Sequence, residues 1–259
     1  MILEFAYSVG LIAQETVQKY TEEQSLSLPL SKHLKEFGFS QSKEHKNQVN
    51  FKKLKEELKE KGKELNVHDD YKNLNLNELI EIQKRETIPV EVLLLNLSGD
   101  LNIGNMIRTS CVSGIKKVWI FGRRRYDRRS LVGSNNYIDI QSINGFEDNS
   151  INYNTELLKN FLEKNNFVPI YAELYKNSEI LGKFSWQEKF ANIEKKGKKP
   201  LIVMGNENYG FTEDVVEVFN SIEGSFCVTI PQRGVLRSFN VSNALAIILW
   251  DIRRDMKWF

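Results

Sequence analysis

Five polar side chains in three separate segments could form a catalytic site that contains no histidine. The segments that hold them each follow an apolar run with the character of a buried strand, and ligands of α/β proteins bind at the carboxyl ends of such strands. Without histidine, these groups suit the positioning of a substrate and the stabilisation of charge more than proton exchange near neutral pH. We therefore predict an enzyme site made of Asn102, Arg108, Glu207, Ser238 and Asn240.

Other familiar chemistries lack the residues that they require. Gly99 and Gly104 have the spacing of a phosphate-binding loop, but Asn105 and Met106 stand where its lysine and hydroxyl belong. The chain has no GxGxxG sequence, and its three histidines all lie in the polar N-terminal part. A nucleotide hydrolase, a Ser-His-Asp hydrolase and a metal site are therefore not indicated, and we expect no metal.

An arginine-rich segment is the clearest candidate for contact with nucleic acid. The sequence Arg123-Arg-Arg-Tyr-Asp-Arg-Arg129 holds five arginines in seven residues, with one aromatic. Guanidinium groups pair with phosphates through two hydrogen bonds and stack on bases. We predict RNA contact here, and the alternative is an ordinary solvated loop. The residues concerned are Arg123, Arg124, Arg125, Arg128 and Arg129.

The candidate residues depend on strands and helices that alternate from Pro89 onward. Apolar runs predict strands at 90–97, 117–121, 167–172, 201–204 and 226–230. Helical patterns cover 104–113, 156–164 and 241–254, and Thr212 is placed to cap a further helix. This alternation predicts an α/β fold with a mainly parallel sheet and helices on both faces.

Composition divides the chain at about residue 88. Residues 1–88 are rich in Lys and Glu and predict a helical extension, either a solvated helix pair or a module that docks the substrate; residues 89–259 form the α/β domain. The 259 residues are 41% hydrophobic and 27% charged, with a net charge of +2. Cys111 and Cys227 lie in apolar segments, which predicts reduced core thiols. With neither a signal peptide nor a membrane span indicated, we expect a soluble intracellular protein, most simply a cytoplasmic one.

Three segments resemble the three motifs of the SpoU/TrmH family of SPOUT RNA 2′-O-ribose methyltransferases. The first is Asn96-x-x-x-x-x-Asn102-Ile-Gly-Asn-Met-Ile-Arg108-Thr, and the second is Leu201-Ile-Val-Met-Gly-Asn-Glu-Asn-Tyr-Gly210-Phe. The third is Ile230-Pro-x-x-Gly-x-x-x-Ser-Phe-Asn-Val-Ser-x-Ala244. They occur in the family's order and spacing, over roughly residues 90–256.

The resemblance implies a fold, a cofactor and an assembly. The fold would be an α/β domain with a C-terminal trefoil knot that binds S-adenosylmethionine, and the protein would work as a homodimer. The five polar residues named above match the family's active-site residues, with Arg108 as the group that activates the 2′-hydroxyl. Phe239 stands where the family usually has leucine. The matched cofactor positions are Gly205, Ile230, Ser238 and Phe239, with Ala172 at a neighbouring strand end.

The function that the resemblance implies is methyl transfer from S-adenosylmethionine to a ribose 2′-hydroxyl of RNA, either tRNA or rRNA. The alternative is a non-catalytic RNA-binding protein on the same scaffold. Neither the RNA class nor the modified nucleotide can be derived from these residues.

Overall fold

The central feature is a sheet of seven strands, each parallel to its neighbours. The structure, a computed structural model, describes residues 66–96, 100–122, 128–146, 152–206 and 210–258. The strands are β1 Ile88–Asn96, β2 Ile115–Gly122, β3 Asp139–Ile143, β4 Phe167–Ala172, β5 Glu179–Ile180, β6 Lys199–Met204 and β7 Phe226–Thr229. Their order across the sheet is β3-β2-β1-β6-β4-β7-β5.

Helices cover both faces of this sheet, as predicted. They are α1 Leu76–Arg85, α2 Asp100–Val112, α3 Arg128–Leu131, α4 Thr155–Lys164, α5 Trp186–Glu194, α6 Glu213–Ser221 and α7 Val241–Met256. One apolar cluster joins α2, α3, α5 and α7 to the sheet, and a second joins α4 and α6 to the opposite face. Successive side chains of β1 enter the two clusters in turn, because a strand directs alternate residues to opposite faces. The continuous apolar run in the sequence reflects this burial on both sides.

Side-chain caps determine where several helices begin. At α1, the Asn75 side chain accepts hydrogen bonds from the backbone N–H groups of Asn77 and Glu78, and Glu78 in turn accepts from the backbone of Asn75. Asn154 and Ser185 accept from the first turns of α4 and α5. Thr212 lies at the cap position of α6, as predicted, but its side chain makes no capping hydrogen bond. Each capped helix thus satisfies part of its otherwise unpaired N-terminal N–H groups.

Several elements extend the predicted pattern. Helix α2 begins at Asp100, earlier than its predicted start at residue 104, and α3, β3, β5 and α5 were not predicted. The described residues from 66 onward belong to one compact unit that includes α1. Because α1 lies before residue 88, part of the predicted N-terminal extension is helical. Residues 1–65 lie outside the described ranges, and both the boundary at residue 88 and the trefoil knot remain predictions. Within the described ranges, no helix has the length and apolar character needed to cross a membrane.

A buried carboxylate joins α7 to α5, and it predicts a large stability effect. Asp251 is 6% exposed and accepts a 2.9 Å hydrogen bond from Nε1 of Trp186, which is fully buried. It also pairs with Arg254 at 2.7 Å. We expect Asp251→Ala to lower the free energy of unfolding by about 3 kcal/mol, because the buried indole N–H loses its acceptor. Asp251→Asn keeps an acceptor and should cost clearly less. Urea unfolding of both variants tests this, and equal losses would contradict the role given to the hydrogen bond.

Candidate active site

A cavity of about 330 Å³ opens at the carboxyl ends of three neighbouring strands. The last residues of β4, β6 and β7 all line it, so it lies where ligands bind in parallel sheets. We call it the strand-end cavity. The five residues that the resemblance matched to a cofactor site all contribute to its wall: Ala172, Gly205, Ile230, Ser238 and Phe239. The structure therefore brings this predicted set together, although its members come from three separate segments.

The loop after β6 forms one wall of the strand-end cavity and leaves no room for a side chain at Gly205. The backbone N–H of Asn206 donates to the carbonyl of Gly210 at 3.0 Å, and the N–H of Gly210 donates back at 2.8 Å. A Cβ on Gly205 would lie 2.8 Å from that same Gly210 carbonyl oxygen. Gly210 itself has φ of +63°, a conformation that favours glycine. The glycines thus let two backbone segments approach each other at the cavity wall.

Two polar residues of this cavity were missed in the sequence. Glu173 follows β4 directly; its backbone N–H donates to Val228, and its Oε1 accepts from the N–H of Leu174 at 2.9 Å. The side chain of Asn206 is buried at 6% exposure. Burial, and then the negative charge of Glu173, raise the pKa of nearby Tyr175. Their positions in the sequence could have identified both residues. Glu173 comes immediately after the buried strand β4, and Asn206 comes two residues after the buried strand β6.

Two predicted catalytic asparagines meet although 138 positions separate them in sequence. Nδ2 of Asn240 donates to Oδ1 of Asn102 at 3.0 Å. Oδ1 of Asn240 accepts from the backbone N–H of Ser242 at 3.0 Å and from its hydroxyl at 2.6 Å. Asn240 therefore caps α7 and fixes the side chain of Asn102 on α2 at the same time. Val241, the first residue of α7, lines the strand-end cavity, so the pair lies next to it.

Arg108 lines a different cavity from the cofactor candidates. It is exposed on α2, six residues after Asn102. Six residues span about 600° of helix at 3.6 residues per turn, so the two side chains leave α2 on different faces. Arg108 borders a second cavity of about 890 Å³ beside the C-terminal ends of α1, α2 and α7, which we call the helix-end cavity.

The remaining predicted site residues divide into two groups. Ser238 and Phe239 line the strand-end cavity but are exposed, Phe239 at 43%. Glu207 lies outside the described residues. The predicted RNA contacts also lie mostly outside them: Arg123, Arg124 and Arg125 are not described, while Arg128 and Arg129 begin α3 and their side chains are outside the described part.

Both cysteines are buried free thiols, as predicted, and their chemistry can be checked directly. Burial raises the pKa of the Cys111 thiol from 9.0 to about 11, and burial does the same for Cys227 despite the hydrogen bond from Ser178. The reactive species is the thiolate. We expect reaction with a disulfide reagent at pH 8 to be at least about a hundredfold slower in the folded chain than in urea, since a pKa two units higher leaves a hundredfold less thiolate. Rapid labelling of one thiol in the folded chain would contradict this burial.

Comparison with known proteins identifies a matching family and solved structures of similar fold. Residues 89–250 match the family described as SpoU rRNA Methylase. The crystal structure of the TrmH/SpoU tRNA modifying enzyme from A. aeolicus superposes with a TM-score of 0.54 at 20% identity, over 70% of this chain and 82% of that one. That likeness concerns the fold. An AdoMet-bound rRNA methyltransferase from Sinorhizobium meliloti gives a TM-score of 0.49 at 23% identity, over 68% of this chain and 59% of that one.

A curated relative matches over a shorter stretch. The tRNA (guanosine(18)-2′-O)-methyltransferase TARBP1 of Mus musculus is 33% identical over 58 residues, which is 22% of this chain. The match spans 3% of the length of that relative. The family match covers well over half of this chain, including the strand-end cavity and both asparagines. On that ground, the chain belongs to the SpoU rRNA methylase family.

Proposed function

We propose that this chain transfers a methyl group from S-adenosylmethionine to a ribose 2′-hydroxyl of RNA. The observation that carries the proposal is the strand-end cavity, which gathers all five positions matched to the family's cofactor site. Family membership supplies the reaction class. The proposal extends beyond both in naming the 2′-hydroxyl and the cofactor.

The residues of the strand-end cavity fit this cofactor. Its volume of about 330 Å³ lies within the range of small-molecule sites, roughly 300–1,000 Å³. Ile230, Phe239 and Val241 offer apolar surface for an adenine ring. The carboxylate of Glu173 offers an acceptor for hydroxyl or ammonium groups and a negative charge that favours a cation. The bare backbone at Gly205 permits close approach of the ligand.

S-adenosylmethionine supplies a methyl group on a positively charged sulfur, and this chemistry needs no metal. In our proposal, the hydrogen-bonded pair Asn102–Asn240 holds the N-terminus of α7 in position beside the strand-end cavity. Arg108 holds a phosphate next to the target ribose and stabilises the negative charge that develops on the 2′-oxygen. The guanidinium group keeps its proton in proteins, so in our proposal the 2′-hydroxyl passes its proton to solvent water as the bond to the methyl group forms. Glu207 and Ser238 complete the proposed catalytic set, with Ser238 also at the cofactor cavity.

The proposed partners are RNA, as tRNA or rRNA, and a second copy of this chain. The homodimer is inferred from the family resemblance, and the proposed site of action is the cytoplasm. A non-catalytic RNA-binding role on the same scaffold is not favoured, because the strand-end cavity keeps its matched lining and the Asn102–Asn240 contact is intact.

Transfer of label from methyl-tritiated S-adenosylmethionine tests the proposed reaction. Wild-type protein is incubated separately with tRNA and with rRNA, and the RNA is then digested to nucleosides and separated by chromatography. We expect label in a 2′-O-methyl nucleoside from one of the two RNA classes. Label on a base would contradict the 2′-hydroxyl, and cofactor binding without transfer to either class would contradict the assigned substrates. If S-adenosylmethionine does not bind at all, the non-catalytic alternative replaces the proposal.

A further inference from the structure

The helix-end cavity has the size of a binding site. Its volume is about 890 Å³, near the upper end of the range for small-molecule sites. Residues 66–71 and α1 form one wall, and the ends of α2 and α7 form the others. Its lining therefore comes from two sides of the predicted boundary between the extension and the α/β domain.

Positive charge dominates this lining. Four cationic side chains border the cavity, namely Arg85, Arg108, Arg253 and Lys257, against one carboxylate, Glu86. Each of the three helix ends adds about half a negative charge, which leaves the cavity positive. Arg85, Arg108 and Lys257 are exposed, and none of them forms an ion pair with a carboxylate among the described residues. These three cations are thus available to an anionic ligand.

Aromatic rings accompany the cations. Tyr71, Tyr137 and Trp258 line the cavity and are half-buried. Nucleic-acid bases stack on such rings with little dependence on sequence, whereas an acidic peptide would use the cations alone. The combination therefore favours a single-stranded nucleic acid over a peptide.

The α1 wall is held against the end of α2 by contacts from α1 itself and from the residues that directly follow each helix. Nε2 of Gln83 donates to the carbonyl of Cys111 at 3.1 Å, and the N–H of Ile88 donates to the carbonyl of Gly114 at 2.8 Å. A Cβ on Gly114 would lie 2.6 Å from the carbonyl oxygen of Glu86, so only glycine permits this approach. The cavity is therefore formed before any ligand binds.

Helix α2 connects this cavity to the proposed reaction site. Asn102 near its beginning meets Asn240 beside the strand-end cavity, while Arg108 in its last turns borders the helix-end cavity. A strand whose ribose is presented to Arg108 must continue into the space around that side chain.

We propose that the helix-end cavity binds a single-stranded segment of the RNA substrate next to the target nucleotide. Arg85 and Lys257 bind its phosphates, together with Arg108, and Tyr137 stacks on a base. The identity of the ligand as the methylated RNA rests on the proposed function. The inference also gives residues 66–85 a role, as a wall of the substrate site.

Fluorescence anisotropy with a labelled single-stranded RNA tests the proposed role of the helix-end cavity. The RNA is about 12 nucleotides long, a length within the site sizes of single-strand binders. The full chain and the double variant Arg85→Gln/Lys257→Gln are titrated between about 50 and 200 mM KCl. We expect the double variant to bind about tenfold or more weakly. The slope of log K against log salt should fall in magnitude by about 1.4, since each phosphate contact to a single strand contributes about 0.7. Both side chains are exposed, so thermal unfolding should be unchanged.

Control variants distinguish RNA binding in the helix-end cavity from a general effect of positive charge on the surface. Lys84→Gln removes one positive charge from the residue before Arg85 in α1; this residue does not line the cavity and pairs with Glu81 at 2.7 Å. It should keep the wild-type slope. Tyr137→Leu should weaken binding about tenfold without changing the slope, and Tyr137→Phe should retain affinity. Wild-type affinity and slope in the double variant would overturn the proposal and leave the cavity to another class of partner.

The two proposals can fail separately. If the double variant loses RNA affinity but the wild-type chain methylates no RNA, RNA binding in the helix-end cavity is supported and the proposed reaction is contradicted. If the wild-type chain methylates RNA and the double variant keeps the wild-type KM for that RNA, the proposed reaction is supported and RNA binding in the helix-end cavity is contradicted.

Discussion

Gly205→Ala should weaken S-adenosylmethionine binding about a hundredfold or more, which corresponds to about 2.7 kcal/mol. The added Cβ would lie 2.8 Å from the carbonyl oxygen of Gly210, 2.9 Å from its carbonyl carbon and 3.2 Å from Cζ of Phe211. Two of these partners are backbone atoms, held by the paired hydrogen bonds between Asn206 and Gly210. Relief of the clash therefore has to displace the loop that forms the cavity wall. Isothermal titration calorimetry measures the effect.

Gly234→Ala is the matched control for Gly205. Gly234 lies in the loop between β7 and α7, a Cβ there has no heavy atom within 4 Å, and the residue does not line the strand-end cavity. The same chemical change should leave cofactor affinity unchanged. Thermal unfolding of both variants establishes that titrations are made on folded protein. Wild-type affinity in folded Gly205→Ala would mean that the ligand binds elsewhere.

Most of the sheet was predictable because burial on both faces produces apolar runs. Strand β4 has the predicted bounds, and the ends of β1, β2, β6 and β7 lie within two residues of the predicted ones. Strand β3 is different: Asp139–Ile143 pairs with β2 alone at the edge of the sheet and is half-exposed. Its residues follow no continuous apolar pattern, since an edge strand is not enclosed on both faces.

Helix α5 shows a signal that was present but not used. Ser185 and Glu188 have the spacing of a helix start, and Trp186, Phe190 and Ile193 then recur at helical intervals. All three apolar side chains are buried. The preceding turns contain no strong apolar run, so the segment resembled a connection between strands.

The candidate site depends on contacts that local patterns do not contain. Asn240 caps α7 through a local contact, because its side chain accepts a hydrogen bond from the backbone N–H of Ser242, two residues further on. Its contact with Asn102 joins two segments 138 positions apart, and the order of strands in the sheet brings them together. The separation of Arg108 from the strand-end cavity could not be derived either, because it depends on how α1 and α7 end beside α2.

Arg108→Ala should reduce the rate of methyl transfer at saturating RNA about a hundredfold to a thousandfold, the usual loss when one preorganised donor to a developing oxyanion is removed. The side chain is exposed and has no ion pair among the described residues, so stability should be unchanged. Affinity for S-adenosylmethionine should also be unchanged, because Arg108 does not line the strand-end cavity. Single-turnover methylation, calorimetry and thermal unfolding separate these effects. Loss of cofactor binding would contradict the assignment of the two cavities.

Arg108→Lys distinguishes electrostatic stabilisation from proton abstraction. Lysine keeps the positive charge but lacks the planar fork that holds a phosphate through two hydrogen bonds, so it should restore part of the rate lost in Arg108→Ala. If residue 108 stabilises charge, that partial rate should be the same between about pH 7 and 9, because the ammonium stays protonated below its pKa of about 10.4. If residue 108 acts as a base, neutral lysine is required, and the rate should instead rise about tenfold with each pH unit. Our assignment requires the flat profile, since the guanidinium of the wild-type chain remains charged throughout this range.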